Sequence, residues 1–515
     1  MKQSIKFLLS AFAAMFVGVT AFAQLTTSSL NGLVADASGE PVIGAAVIAT
    51  HTESGTSYAT VTNNEGRYYI NGMRAGGPYK VEVSCLGYRT VAFTDVTLQL
   101  AESLSLNAKL EDDAQMLSEA IVISDATSKF AAEKTGAATN ISNRQIAGLP
   151  TVSRSITDVT RLSPYGGNGM SFAGADGRTA NFTVDGANFN NNFGLNDGLP
   201  GGGSPISIDA IEEMQVVISP YDVRQTNFIG GGVNAITKSG TNTFKGSAYI
   251  YHRNENMRGD TVEGETVSGA RDKDRNTTYG FTLGGPIIKN KLFFFANFEY
   301  SKVPTVVNRW HGSVDGVADA DNYVSRTKID DLKKVSEYVK SKYGYDTGSW
   351  TDFPANESNM KILARIDWNI NDKNHLAVRY NYTLNRAWNS PNGSSMDAGS
   401  RSAYSRMSKY GMSYANSMYS MDNLVHSLSL DLNSRISDNL SNQFLATMSL
   451  LNDVRGTDSS DFPFIDIRND DGSSVLPYIS LGYELFTYNN AVHNTHVGIK
   501  DDLTWYGGKH KVTAG

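Results

Sequence analysis

The clearest periodicity in this chain lies between Lys361 and Thr383. Ile362, Ala364, Ile366, Trp368 and Ile370 recur at every second position, opposite Lys361, Arg365, Asp367 and Asn369. Asn371-Asp372-Lys373-Asn374 supplies a turn, and Leu376, Val378, Tyr380 and Tyr382 resume the alternation opposite Arg379 and Asn381. A period of two is the mark of a strand with one apolar face. Similar segments recur from Phe244 to Gly515 and predict antiparallel hairpins. Their connections are short at 285–290, 371–374, 434–439 and 506–509, and long near 253–276, 302–359, 385–423 and 452–492. Strands of about ten residues joined by alternating short and long connections suit a membrane-crossing barrel. A soluble sandwich has the same period with its apolar face turned inward, so the period alone leaves both open. Trp368, Tyr380, Tyr382, Phe298 and Tyr300 fall near predicted strand ends, where an interfacial girdle would stand. Asp501 interrupts the apolar face of 497–503, and Ser427, Ser429 and Asp431 alternate with leucines only briefly. Within one long loop Ile329, Leu332, Val335 and Val339 recur at helical spacing and predict a helix.

Upstream the pattern changes. In 29–110 the runs Leu30–Ala35, Ala45–Thr50, Tyr58–Thr62, Gly66–Ile70, Tyr79–Cys85 and Ser103–Leu110 are separated by Gly-, Asn- and Pro-containing turn signals. Strands at this spacing predict a small sandwich of about seven strands. The Gly-x-Val…Gly-x-Pro-Val-x-Gly-Ala-x-Val pattern over 32–47, then Thr-Asn-x-x-Gly-x-Tyr at 62–68 and Gly-Tyr at 87–88, resembles a carboxypeptidase-regulatory-like domain. The resemblance implies a transthyretin-like fold and no peptidase activity.

Residues 206–247 form a hinge between the two patterns. A short apolar strand at Met214–Ile218 meets the triplet Gly230–Gly232, a second strand follows at Val233–Thr237, and the alternating segments begin at Phe244. The run Gly231-Gly232-Val233-Asn234-Ala235-Ile236-Thr237-Lys238 resembles the Gly-Gly-x-x-Asn-x-x-Thr-Lys close of the plug domain in TonB-dependent outer-membrane receptors. Pro150 with Ser153-Arg154-Ser155 and Asp158, and Phe182-Thr183-Val184-Asp185-Gly186, resemble other parts of the plug. The resemblance is closest to the Oar-like branch and marks Asp185, Gly186, Gly231, Gly232, Asn234, Thr237 and Lys238 as the plug motif. The Gly triplet is expected to turn tightly against the barrel interior. The resemblance also implies ligand-gated transport across the outer membrane, powered through a periplasmic TonB-type transducer. That partner would capture an extended box by strand addition. Leu117, Ser118, Glu119, Ala120, Ile121, Val122 and Ile123 occupy the corresponding place, and an ordinary edge strand or linker fits them equally well. Between the plug motifs the Asn/Gly-rich stretch from Asn188 to Gly203 should be a solvent- or lumen-facing loop. Phe189, Asn190, Asn192 and Phe193 within it could grip a ligand.

Composition narrows the picture. The 515-residue chain has a net charge of −7, unlike a nucleic-acid binder, which should be basic. Its mean hydropathy of −0.30 excludes a helical membrane protein but not a barrel, in which only alternate residues face lipid. Residues 1–23 read as a cleaved signal peptide, with Lys2 and Lys6, an apolar core at Phe7–Val19 and Ala21-Phe22-Ala23 before Gln24. Cys85 is the only cysteine and reads as a small buried side chain.

No P-loop, zincin or nucleophile-elbow motif is present, so neither catalytic residues nor a cofactor are expected. His252 and Glu255 with His375 imitate a zinc set, but the barrel topology puts His252 and His375 on opposite sides of the membrane. The acidic stretches 315–321 and 466–472 lack EF-hand spacing and read as solvated loops. The chain is therefore expected to be mainly β. A transthyretin-like sandwich (29–110) is followed by a linker (111–139), a mixed α/β plug (140–243) and the first strands of a transmembrane antiparallel barrel (244–515). About eight full strands with a ninth begun are too few to enclose such a plug, which implies an N-terminal fragment of a longer receptor. A surface adhesion or structural protein using the same parts for display is the rival function. A carbohydrate-binding role of the sandwich is a third.

Overall fold

The computed structural model describes residues 25–112, 121–124, 137–151, 153–190, 199–200, 203–219, 222–225, 230–266, 275–304, 308–354, 356–395, 405–469 and 476–515. The sandwich pairs two sheets around one apolar core. One sheet runs β3 (Thr56–Val61), β2 (Ala46–His51), β5 (Gly76–Ser84), β6 (Val91–Leu98), β9 (Ile121–Ser124); the other runs β4 (Arg67–Met73), β1 (Ser28–Ala35), β7 (Ser103–Ser105), with β8 (Ala108–Lys109) also on β1. Leu30, Val34, Val47, Tyr79, Val81 and Val83 alternate into the space between them. Strand β6 is absent from the runs that the sequence marks. Its alternation is broken at Asp95, which adopts φ of 58°, and the pairing with β5 shifts register there.

The segment expected to be the plug, and called so below, forms a five-stranded sheet, in the order β10 (Ala137–Ser142), β13 (Ile211–Ser219), β14 (Gly232–Thr237), β11 (Asn181–Val184), β12 (Ala187–Asn188). Helices α1 (Asn143–Gly148) and α2 (Ile156–Thr160) flank it, each opened by a capping box from Ser142 or Ser155. The chain bends at Gly230 and enters the strand β14 at Gly232, and neither Gly231 nor Gly232 takes positive φ. A Cβ on Gly231 would lie 2.7 Å from the Phe172 ring, so glycine is required there by close approach and not by backbone conformation.

From Lys245 onward nine strands form one continuous antiparallel sheet. In order they are β15 (Lys245–Arg253), β16 (Asn276–Ile288), β17 (Leu292–Pro304), β18 (Asn356–Asn371), β19 (Asn374–Asn389), β20 (Tyr419–Ser437), β21 (Leu440–Gly456), β22 (Ala491–Gly507) and β23 (His510–Ala514). All but the first and last run well past the expected ten residues, up to 19 in β20, so Phe298 and Tyr380 fall mid-strand while Trp368 and Trp505 stay near the short turns.

The two faces of this wall decide between the soluble and membrane readings. Asn297, Glu299, Lys361, Arg379, Asn381, Ser427, Ser429, Asp431, Lys500 and Asp502 all point to the concave side, where they are buried against the plug or its surroundings, and Arg365 beside them is half-buried. Ile366, Trp368, Leu428, Met448, Val497, Ile499 and Leu503 point outward and are exposed. An outside of apolar side chains over an inside of charge is the reverse of a soluble sandwich and fits a wall bathed in lipid. Asp501 does lie on the outer face, where Asn442 donates a hydrogen bond of 2.7 Å to it.

The sandwich sits at the short-turn end of the wall. Tyr69 stacks on Tyr506 with ring centroids 4.2 Å apart, Asn71 donates to Ser441 at 3.0 Å, and Lys245 pairs with Glu53 at 2.6 Å. At the other end three long loops merge into one module with its own core of Leu332, Val339, Tyr345, Met412, Tyr414 and Ile479. The helix expected from Ile329, Leu332, Val335 and Val339 is α3 (Ile329–Tyr343), and its buried face supplies two of these residues. A three-stranded sheet links Met412–Ser413, Ile465–Ile467 and Ile479–Leu481 across the loops.

Candidate functional site

The plug motif folds into two neighbouring pieces. Strands β11 and β12 are joined by only Asp185 and Gly186, with φ of 45° and 75°. Positive φ at both central residues gives the type I′ hairpin turn that Asp-Gly favours. Alongside, in parallel register, runs β14, which carries Gly232, Asn234 and Thr237. Thr237 donates to Asp185 through both its backbone N–H (3.0 Å) and its hydroxyl (2.8 Å), tying strand to turn.

The hairpin tip presses into the wall. The Asp185 carboxylate meets the Arg365 guanidinium at 3.3 Å and the Arg379 guanidinium at 3.1 Å. Ser429 donates to the Asp185 carbonyl at 2.7 Å, and Arg379 donates to the Val184 carbonyl at 2.9 Å. A Cβ on Gly186 would come within 2.5 Å of a Leu445 methyl and displace that side chain, and φ of 75° independently favours glycine where the turn meets the wall. Arg365 also donates to the Thr237 carbonyl at 2.9 Å and pairs with Asp367 at 2.8 Å. Lys238 does not join this cluster; its backbone N–H donates to the Ala210 carbonyl, and burial lowers its ammonium pKa.

A second ionic contact lies across the plug. Glu299 of the wall pairs with Lys361 at 2.8 Å and accepts from plug Ser207 and wall Tyr249, each at 2.9 Å. Arg154 of the plug pairs with Asp209, lies 3.7 Å from Glu299 and stacks over Tyr251 with its guanidinium 4.1 Å from the ring centre. The apolar core of the plug continues into the wall through Phe295, Leu363, Val425 and Leu451.

Plug and sandwich share a polar seam. Glu213 accepts from the Leu100 backbone N–H at 3.0 Å and from Asn140 at 3.1 Å, while Gln215 donates to the Leu100 carbonyl at 2.9 Å. Burial pushes the Glu213 carboxyl up to about 7, against the pull of those donors.

Phe189 and Asn190 do not form the loop expected of them. Phe189 is fully buried and packs edge-on against Phe182; Asn190 accepts from the Phe182 backbone N–H at 2.7 Å and donates to Asn181 at 2.6 Å. Both belong to the interior of the plug, because the two-residue hairpin folds 187–190 back onto β11. Asn192 and Phe193 lie outside the described residues, as do Leu117–Ala120. Ile121, Val122 and Ile123 lie in β9, which pairs in parallel with β6 at the edge of the sandwich. His252 bonds to Thr277 and His375 to Asn369 at separate ends of the wall. Asp319 caps its own turn by accepting from the Asp321 and Asn322 backbone N–H groups, and Asp466 takes a two-pronged bond from Arg406.

The wall partners of the plug, Arg365, Arg379, Glu299 and Lys361, were not singled out from sequence as contacts. Their signal was the charge on the polar face of the strands, which a filled barrel must satisfy from within.

A family model described as an outer membrane beta barrel domain matches residues 236–314 and 333–515. The chain belongs to the outer membrane β-barrel family. It is a protein of the outer membrane, and its residues 29–111 match the carboxypeptidase regulatory-like domain. The chain is 25% identical over 388 residues to the TonB-dependent transporter Oar of Myxococcus xanthus, covering 72% of this chain and 34% of that protein. It is 33% identical over 118 residues to the TonB-dependent receptor SusC of Bacteroides thetaiotaomicron, covering 23% of this chain and 10% of that one. The chain thus spans about a third of the length of its Oar relative. Among solved structures, the outer membrane transporter YddB from Escherichia coli aligns with a TM-score of 0.47 at 13% identity, covering 72% of this chain and 45% of that one. The siderophore receptor PirA from Acinetobacter baumannii aligns at 0.40 and 17%, covering 72% and 44%. The relatives are named as transporters and receptors, not enzymes.

Proposed function

We propose that this chain carries the gate of an active transporter: a plug that closes the lumen, the part of the wall that grips it, and the segment through which it is pulled. The observation that carries the reading is the Asp185 hairpin seated between Arg365 and Arg379. Joined by charge and hydrogen bonds over a polar wall, the plug can be shifted without exposing a large apolar surface to water. Energy must come from outside the membrane that holds the wall. A periplasmic TonB-type transducer pulling on 117–123 by strand addition would supply it. The transported ligand would meet the external module first, with Asn192 and Phe193 as further candidate contacts.

The test is deletion of 117–124 from the complete receptor, with surface display and uptake measured side by side. Display is expected to persist while uptake of the physiological ligand stops. Unchanged uptake would refute energy coupling through this segment and favour the rival role in adhesion.

A further inference from the structure

Residues Leu25–Thr27 precede β1 and belong to neither sheet of the sandwich. They run instead into the seam between plug and wall. The Leu25 carbonyl accepts a hydrogen bond from the side-chain amide of Asn234, the central asparagine of the plug motif. Thr183 donates to the other end of that amide at 3.1 Å, which fixes its orientation. The Thr26 hydroxyl donates to Asp431 of the wall and accepts from Gln443 at 2.7 Å. Gln443 and Asn433 donate to the same carboxylate, at 3.1 and 2.9 Å, so the described partners of Asp431 are neutral donors and Thr26 is one of them. A Cβ on Gly186 would lie 3.4 Å from the Thr26 methyl, so the segment also touches the hairpin tip. The Thr27 carbonyl accepts from the Ala101 backbone N–H of the sandwich at 3.1 Å. Three residues therefore contact plug, wall and sandwich together, and Leu25 is only 5% exposed.

We infer that the seam between Asn234 and the Asp431–Gln443 pair is a peptide-binding site, and that its ligand is the chain's own amino-terminal segment Leu25–Thr27, acting as a strap from plug to wall. The inference rests on the reading of the plug as a gate. The strap is continuous with β1, and three residues reach at most about 10 Å. A displacement of the sandwich beyond that distance must draw the strap out of the seam. Asn234 then loses its carbonyl partner and Asp431 its hydroxyl donor at the same moment. Movement of the sandwich is in this way linked to loosening of the plug.

The experiment uses the complete receptor with Cys85→Ser, Thr26→Cys and Gln443→Cys. Replacing Gln443 by cysteine shortens the side chain that reaches Thr26, so in outer membranes a short bis-methanethiosulfonate is expected to bridge the two new cysteines, protect both from a thiol-reactive label, and raise the urea concentration at which the lumen begins to conduct ions. Reducing the same sample should return both readings, which separates the effect of the strap from any folding defect. The single variant Thr26→Val, which keeps the shape and removes the hydroxyl, should lower the opening concentration. Two accessible thiols after treatment with the bridging reagent, or opening at one urea concentration in bridged and reduced samples, would overturn the strap. The labelling needs neither ligand nor transducer, so a negative result leaves the transport reading to the deletion of 117–124.

Discussion

Asp185→Asn separates the charge of the hairpin tip from its shape. Asparagine tolerates the left-handed conformation at φ of 45°, so the I′ turn and the neighbouring Gly186 are kept. The side-chain oxygen can still accept from Thr237, whose hydroxyl lies 2.8 Å from the native carboxylate. What is removed is the negative charge between Arg379, with 2% of its side chain exposed, and Arg365, with 13%. Arg365 retains Asp367 at 2.8 Å; among the ion pairs of the described residues, Arg379 has Asp185 alone. Stranding one member of a buried pair costs about 3–5 kcal/mol, against ~0.5 kcal/mol for an exposed pair. With a urea dependence of about 2 kcal/mol per molar for a body of this size, the plug should release at a concentration lower by about 1.5–2.5 M. The assay is ion conductance of the complete receptor in a planar bilayer as urea is raised. Adding Arg379→Met to Asp185→Asn should recover part of the loss, because the stranded charge is then gone. A shift below about 0.5 M for the single variant, the size expected of a solvated pair, would refute the view that this contact holds the plug.

Two further outcomes are expected. Glu213 has a folded pKa near 7, above its ordinary value of 4.5, so its contribution to the plug–sandwich seam is complete below pH 4.5 and is lost as pH rises through 7. Hydrogen exchange of the Leu100 amide should therefore be slower at pH 5.5 than at pH 8.5 after correction for the intrinsic rate, and Glu213→Gln should abolish the difference. On the wall, Leu428→Arg puts a charge on the lipid face and should cost about 2–4 kcal/mol in folding into bilayers, whereas the neighbouring inward Ser427→Arg should leave lipid insertion intact; equal insertion defects in the two variants would contradict the assignment of faces.

Much of this architecture is legible in the residues. The alternation of 361–383, the Asp-Gly pair and the helical spacing from Ile329 to Val339 each use local chemistry, and each element stands where that chemistry puts it. What could not be read depends on partners distant in sequence. Phe189 looks like a loop residue among asparagines, yet a two-residue turn folds it onto Phe182. Gly231 looks like a turn residue, yet it answers to Phe172. Arg379 and Asp431 look like ordinary members of a polar strand face. Only the enclosure of the plug makes them contacts: Arg379 with a hairpin 194 positions upstream (379 − 185 = 194), Asp431 with the chain's first described residues.

The external module has a consequence for how this surface can vary over time. Loops on a barrel are usually free to lengthen or change one at a time, because each is anchored only at its own two strands. Here Leu332 and Val339 from one loop, Met412 and Tyr414 from a second and Ile479 from a third share a single core, and Tyr414 donates at 2.7 Å to the carbonyl of Leu332. An insertion that suits one loop disturbs packing in the other two. New binding preferences should therefore arise by exchange of the exposed rim of the module, such as Tyr338, Tyr343 and Tyr488, while the three loops are inherited as a set.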